Sequence, residues 1–207
     1  MKATCHLLVV LAVAAWLLPA RTVQAQNLFD NSFIHVAAGL NGTVLDPLHP
    51  GNLGFSADAH FGTWFNRIVG ARIGINTGWN NTRQPFELQG IEANKPFGFH
   101  YAHADLLYSF TEDIGGIKED RIWEVVVYAH TGALKIGPSR TPFSRGHVSW
   151  AGGLGMINEF RLTKEAGITL DLQGILAKST RYTDSGEWIV LFPVASLGLT
   201  FYLDHIH

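Results

Sequence analysis

The chain has 207 residues, 15 basic and 17 acidic side chains, a hydrophobic fraction of 47% and a single cysteine. That cysteine, Cys5, lies near the N-terminus, which excludes a disulfide framework, thiolate metal ligation and cysteine nucleophiles for the rest of the chain. No segment is basic enough to give the electrostatic footprint of a nucleic-acid-binding protein.

Taken from the start, residues 1–25 read as a signal peptide. Lys2 supplies a charged opening, residues 7–18 are apolar, and Val23-Gln24-Ala25 gives a small-residue cleavage site before Gln26. The apolar run is shorter than the roughly 20 residues that a spanning helix needs. Without Lys2 and Arg21 the remainder carries 13 basic and 17 acidic residues. Its length suits one domain, residues 26–207, with no linker or composition break inside it.

Helix signals are nearly absent after Gln26, and alternation with period two takes their place. Residues 32–42 set Ile34, Val36, Ala38 and Leu40 against His35, Ala37, Gly39 and Asn41. Residues 55–65 set Phe55, Ala57, Ala59 and Phe61 against Ser56, Asp58, His60 and Gly62. Residues 70–80 set Ala71, Ile73, Ile75 and Trp79 against Arg72, Gly74, Asn76 and Gly78. In residues 97–109 the apolar face is Ala102, Ala104, Leu106 and Tyr108, with His103 and Asp105 opposite.

The fifth stretch, from Trp123, alternates Trp123, Val125, Val127 and Ala129 with Glu124, Tyr128 and His130. Residues 147–161 follow, with Trp150, Leu154, Met156 and Phe160 against Ser149, Gly153, Glu159 and Arg161. Residues 167–178 oppose Ile168, Leu170, Leu172 and Leu176 to Thr169, Asp171 and Gln173. Residues 189–203 end on SLGLTFYL, in which Leu197, Leu199, Phe201 and Leu203 share a face.

Eight strands are thus predicted, joined by connections of alternating length. Residues 66–69 and 162–166 are short, whereas the other type of connection runs to about 10–16 residues of loop composition. Residues 110–121 break the rule, being long where a short turn is due. Even strand number with short turns on one side and long loops on the other is the pattern of a bacterial transmembrane barrel. Closure is required because an open edge in hydrocarbon leaves backbone groups unpaired at several kcal/mol each.

Aromatics fall in two bands. Trp64, Phe65, Tyr108, Phe110, Trp123, Phe160, Phe201 and Tyr202 lie near the short-turn ends; Trp79, Phe97, Phe99, Trp150 and Trp188 lie near the long-loop ends. Such bands suit interfacial girdles. A soluble secreted barrel would put its large residues inside, and the predicted inward face is small or polar.

Three stretches in this order carry a resemblance: GTWFNRIVGARIGIN (62–76), HADLLYSFTEDIGGIKEDRIWEVVVYAHTGA (103–133) and GLGMINEFRL (153–162). Over about residues 33–203 the chain resembles the outer membrane protein A-like family of eight-stranded barrels of Gram-negative bacteria. The resemblance implies an all-β, antiparallel up-and-down barrel in the outer membrane. Its implied partners are outer-membrane lipid, lipopolysaccharide and the barrel-insertion machinery. Ser196, Gly198, Phe201 and Leu203 match the family's insertion signal, polar-x-Gly-x-x-apolar-x-apolar, although Asp204 to His207 follow it. Many relatives carry a peptidoglycan-binding domain after the barrel, and this chain leaves no room for one.

An eight-stranded lumen is just wide enough for side chains to fill. Inside it, Arg72, Asp105 and Glu124 are expected to form a structural ion-pair cluster, with Glu159, Arg161 and Asp171 as possible extensions. His35, His60, His103 and His130 also face inward, on four strands and at different expected depths, so lumen filling is preferred to a metal site. His147 and Ser149 share a face, and some lipid A deacylases place such a pair on a barrel strand beside a glutamate. Here Glu159 lies ten residues beyond Ser149, roughly 30 Å along an extended strand. The preferred reading is a structural or surface-interacting barrel without catalytic residues, cofactor or metal. A lipid-acting barrel enzyme and a narrow ion channel are the alternatives.

Overall fold

In a computed structural model, the described residues are 31–43, 53–80, 96–116, 121–137, 147–179 and 188–203. The expected signal peptide, the four long connections and the residues after Leu203 lie outside them. Eight strands form one closed barrel: β1 (Ser32–Asn41), β2 (Gly54–Trp64), β3 (Val69–Asn80), β4 (Phe97–Ser109), β5 (Trp123–Gly137), β6 (His147–Arg161), β7 (Ala166–Ser179) and β8 (Trp188–Tyr202). Every neighbouring pair is antiparallel, and β1 closes on β8 from Phe33↔Tyr202 to Asn41↔Val194. The strands are 10 to 15 residues long, enough to cross a bilayer when tilted.

The turns at one end show why the chain reverses there. Between β2 and β3 the Asn66 carboxamide oxygen accepts from the amides of Ile68 and Val69, both at 2.8 Å. Between β6 and β7 the Thr163 hydroxyl oxygen accepts from the amides of Glu165 and Ala166 at 3.1 and 3.0 Å. Both are side-chain-closed turns, one by an Asn and one by a Thr. The overlong connection between β4 and β5 contains a helix, α1 (Phe110–Gly115), which the near-absence of helix signals did not anticipate. Ser109 caps it, accepting from the Glu112 amide at 3.3 Å, and Ser-x-x-Glu is a capping-box pattern. Gly116, at φ 71°, ends it. Arg121 then folds back to bond the Gly116 carbonyl and Glu112.

Outward residues are those expected, and they are apolar. Ile73 (63% exposed), Leu154 (71%), Trp150 (71%) and Leu197 (63%) belong to a belt covering the barrel wall. An exposed apolar surface of this extent is incompatible with water as the surrounding solvent.

The inward face departs from expectation in its loop-side half. Phe97, Phe99, Leu134, Ile136, Ile175 and Phe192 are buried there in one apolar cluster. Phe97 and Phe99 are therefore lumen residues, not girdle residues. Trp64 and Tyr202 also face inward, against a smaller cluster of Phe33, Leu107, Val126, Tyr128 and Ile157. The remaining turn-side aromatics expected at the interface, such as Phe65, Trp123 and Phe160, do face outward. Interior size thus does not separate a membrane barrel from a soluble one here; the apolar exterior does.

Candidate functional site

Between the two apolar clusters a polar belt crosses the lumen. The strand register builds it. His35 lies opposite His60, His60 opposite Gly74, Gly74 opposite His103, and Arg72 opposite Asp105. Three of the four histidines thus share one cross-strand row of the sheet. The rings follow one another: His35–His60 at 5.3 Å, His60–His103 at 5.2 Å and His103–His130 at 5.8 Å between centroids. A Cβ on Gly74 would collide with the His60 ring, so glycine there lets the imidazole lie flat on the wall.

Arg72 organises the centre of the belt. It is 2% exposed. Its Nε donates to Asp105 Oδ2 at 2.5 Å, and its Nη2 donates to Asp171 Oδ2 at 2.9 Å. The guanidinium carbon also sits 4.5 Å from the centroid of the Tyr128 ring, a cation–π arrangement. Tyr128 in turn donates to Asp171 Oδ1 at 2.6 Å. The second oxygen of Asp105 meets His103 Nδ1 at 2.5 Å. His130 Nε2–H donates to the Gly174 carbonyl at 3.2 Å, leaving Nδ1 to accept from the Tyr101 hydroxyl at 2.8 Å.

Glu124 lies in a separate tier nearer the turns. It accepts from Arg161 Nη2 at 3.0 Å and from the Ser109 hydroxyl at 2.7 Å. Glu159 accepts from the Tyr202 hydroxyl at 2.5 Å, and Arg161 lies over the Tyr202 ring. The six charged residues considered from sequence therefore divide into two groups, Arg72–Asp105–Asp171 and Arg161–Glu124–Glu159. Glu124 sits with Arg161 rather than with Arg72, because its neighbour across β5–β6 is Glu159, beside Arg161.

Sequence reasoning missed Asp58. It hangs from β2 between His35 and His60, and its Oδ2 accepts from the Ser196 hydroxyl at 2.8 Å. Of the expected insertion-signal residues, Ser196 and Gly198 point into the lumen, and Phe201 and Leu203 point outward. Only the closure register between β1 and β8 brings Ser196 round to this group.

Ser149 Oγ has no hydrogen-bond partner among the described residues. Glu159 lies ten positions along the same strand, and the side chain of His147 is outside the described residues.

A barrel of eight antiparallel strands, an apolar exterior and a side-chain-filled lumen decides the architecture. The fold is that of a small outer-membrane barrel. The structure of Neisserial surface protein A aligns with a TM-score of 0.60 at 11% identity, covering 83% of this chain and 96% of that one. The chain also aligns with the Yersinia pestis attachment invasion locus protein, Ail, at a TM-score of 0.44, 14% identity, and 83% and 97% coverage. The N-terminal β-barrel domain of Pseudomonas aeruginosa OprF gives 0.46, 12%, and 83% and 97%. No family model matches the sequence, and no curated protein matches it.

Proposed function

We propose that this chain is a non-conducting, non-catalytic barrel of the outer membrane. Its role is then structural, or lies in surface interaction through the long connections at residues 44–52, 81–95, 138–146 and 180–187. The observation that carries the reading is the bond from Arg72 on β3 to Asp171 on β7, which ties opposite walls together across the lumen. Phe99 and Phe192, 6.0 Å apart between ring centroids, fill the lumen on the loop side. A path for ions would have to break a buried charge pair and part an apolar plug, and each step is costly in a medium of low dielectric.

The test is electrical. Purified protein is inserted into planar bilayers at moderate salt, with a known porin as positive control. A closed barrel gives no unitary current. Reproducible conductance steps from wild type, altered in size or frequency by Arg72→Ala, would replace this reading with a gated channel.

A further inference from the structure

The polar belt is short of positive charge. Among the described residues, Asp58, Asp105 and Asp171 are each at most 6% exposed, and Arg72 is the cation that reaches this tier. Arg72 is bound to Asp105 and Asp171. Among the described residues, Asp58 has no arginine or lysine partner, and its Oδ2 accepts from the Ser196 hydroxyl. A buried carboxylate with that little compensation calls for another charge.

Its other oxygen points at two imidazoles. Asp58 Oδ1 lies 3.7 Å from His35 Nε2 and 3.8 Å from His60 Nδ1. Neither separation is a hydrogen bond. Among the described residues, Asp58 Oδ1 and both nitrogens of His60 have no hydrogen-bond partner, and His60 is 5% exposed. His35 Nε2 has only a long contact, 3.4 Å, to the Thr169 hydroxyl. Three lone-pair donors on adjacent strands therefore converge without bonding one another, all within 4.8 Å.

We propose that His35 Nε2, Asp58 Oδ1 and His60 Nδ1 bind one divalent transition-metal cation of the zinc class. Ligand bonds of about 2.0–2.1 Å in a tetrahedron separate donor atoms by about 3.4 Å. The two edges to Asp58 Oδ1, 3.7 and 3.8 Å, exceed this by a few tenths of an ångström, and the third lies within 4.8 Å. Two imidazoles and a carboxylate select Zn²⁺ or Co²⁺ over the hard cations Mg²⁺ and Ca²⁺, which prefer all-oxygen sites. Ser196 orients the carboxylate from behind, as outer hydrogen bonds do at metal sites. The neighbouring trio His60, His103 and Asp105 also converges, but both oxygens of Asp105 are already engaged by His103 and Arg72.

The experiment refolds the mature chain in detergent with Zn²⁺ or Co²⁺, strips loose metal on a chelating resin, and measures metal per chain. Heat-modifiability on gels reports folding of each sample independently. Wild type should retain about one ion per chain, with the visible absorption of four-coordinate Co²⁺. Asp58→Asn and His60→Gln should fold and lose it, His130→Gln should keep it, and Ser196→Ala should weaken retention roughly ten-fold. A folded wild type that retains no metal overturns the proposal, as does equal retention by Asp58→Asn and His60→Gln. If those variants do not fold, X-ray absorption on the zinc-loaded wild type decides: a shell of two imidazoles with oxygen supports the site, and any other shell overturns it.

Discussion

Arg72 and Asp171, 99 positions apart in sequence, are joined at 2.9 Å across the width of the barrel. The bond works as a strut between β3 and β7. Asp105, on the strand next to Arg72, completes the pair of carboxylates that hold the guanidinium.

Removing the strut exposes its cost. Arg72→Ala leaves Asp105 and Asp171 buried without their cation, and breaking such a pair costs about 3–5 kcal/mol. The temperature at which detergent-solubilised protein loses its compact gel mobility should fall accordingly. Replacing all three residues together, Arg72→Met with Asp105→Leu and Asp171→Leu, should recover part of the loss, since an apolar trio of similar volume removes the buried charges, while Tyr128 and His103 lose their carboxylate partners. An unchanged melting temperature in Arg72→Ala would show that the pair carries no weight in the fold.

The exterior makes a directional prediction. Leu154 stands midway along β6 and is 71% exposed. Leu154→Arg should cost about 2–4 kcal/mol on folding into lipid vesicles, and Phe160→Arg, near the interface, about 0–1 kcal/mol. Folding yield against urea measures both. In water the sign would reverse, because an exposed leucine replaced by arginine gains solvation; a stabilised Leu154→Arg would mean the apolar wall does not face lipid.

Packing of the lumen is tight where a large side chain lies over a glycine. Tyr128 covers Gly155, where an added Cβ would strike the phenol ring. Gly155→Val should therefore destabilise by about 1–3 kcal/mol through overpacking. Combining it with Tyr128→Leu should relieve the clash while forfeiting the Tyr128–Asp171 bond, so the double variant should lie between the single variant and wild type.

Closure itself is tested most simply. Unboiled and boiled outer-membrane fractions run on denaturing gels should differ in mobility, with the strands of the unboiled form resistant to protease. Identical mobilities, with the protein in the soluble periplasmic fraction, would contradict a closed barrel in lipid.

The strands were legible because an apolar exterior imposes period two on every span; β4 and β6 were readable to the residue. The lumen was not. Phe97 and Phe99 flank Gly98 at the mouth of the barrel, and an aromatic near a strand end looks the same from sequence whether it faces lipid or the interior. The histidine row was hidden for another reason. His35 meets His60 only through the β1–β2 register, which no single strand records, and Ser196 meets Asp58 only once β8 has found β1. Helix α1 had a visible signal, Ser109 with Glu112, but six residues are too few for periodicity to declare them.

The seam between β1 and β8 has a consequence for how the molecule comes into being. Phe33 and Tyr202 are partners, yet almost the whole chain separates them. The first strand made is therefore the last to be satisfied on both edges, and no shorter assembly has a finished boundary. Until β8 pairs with β1, two edges of backbone N–H and C=O groups stay open, which water can satisfy and hydrocarbon cannot. What is inherited from the ribosome is a list of strands, and the object appears only when the two ends of that list meet.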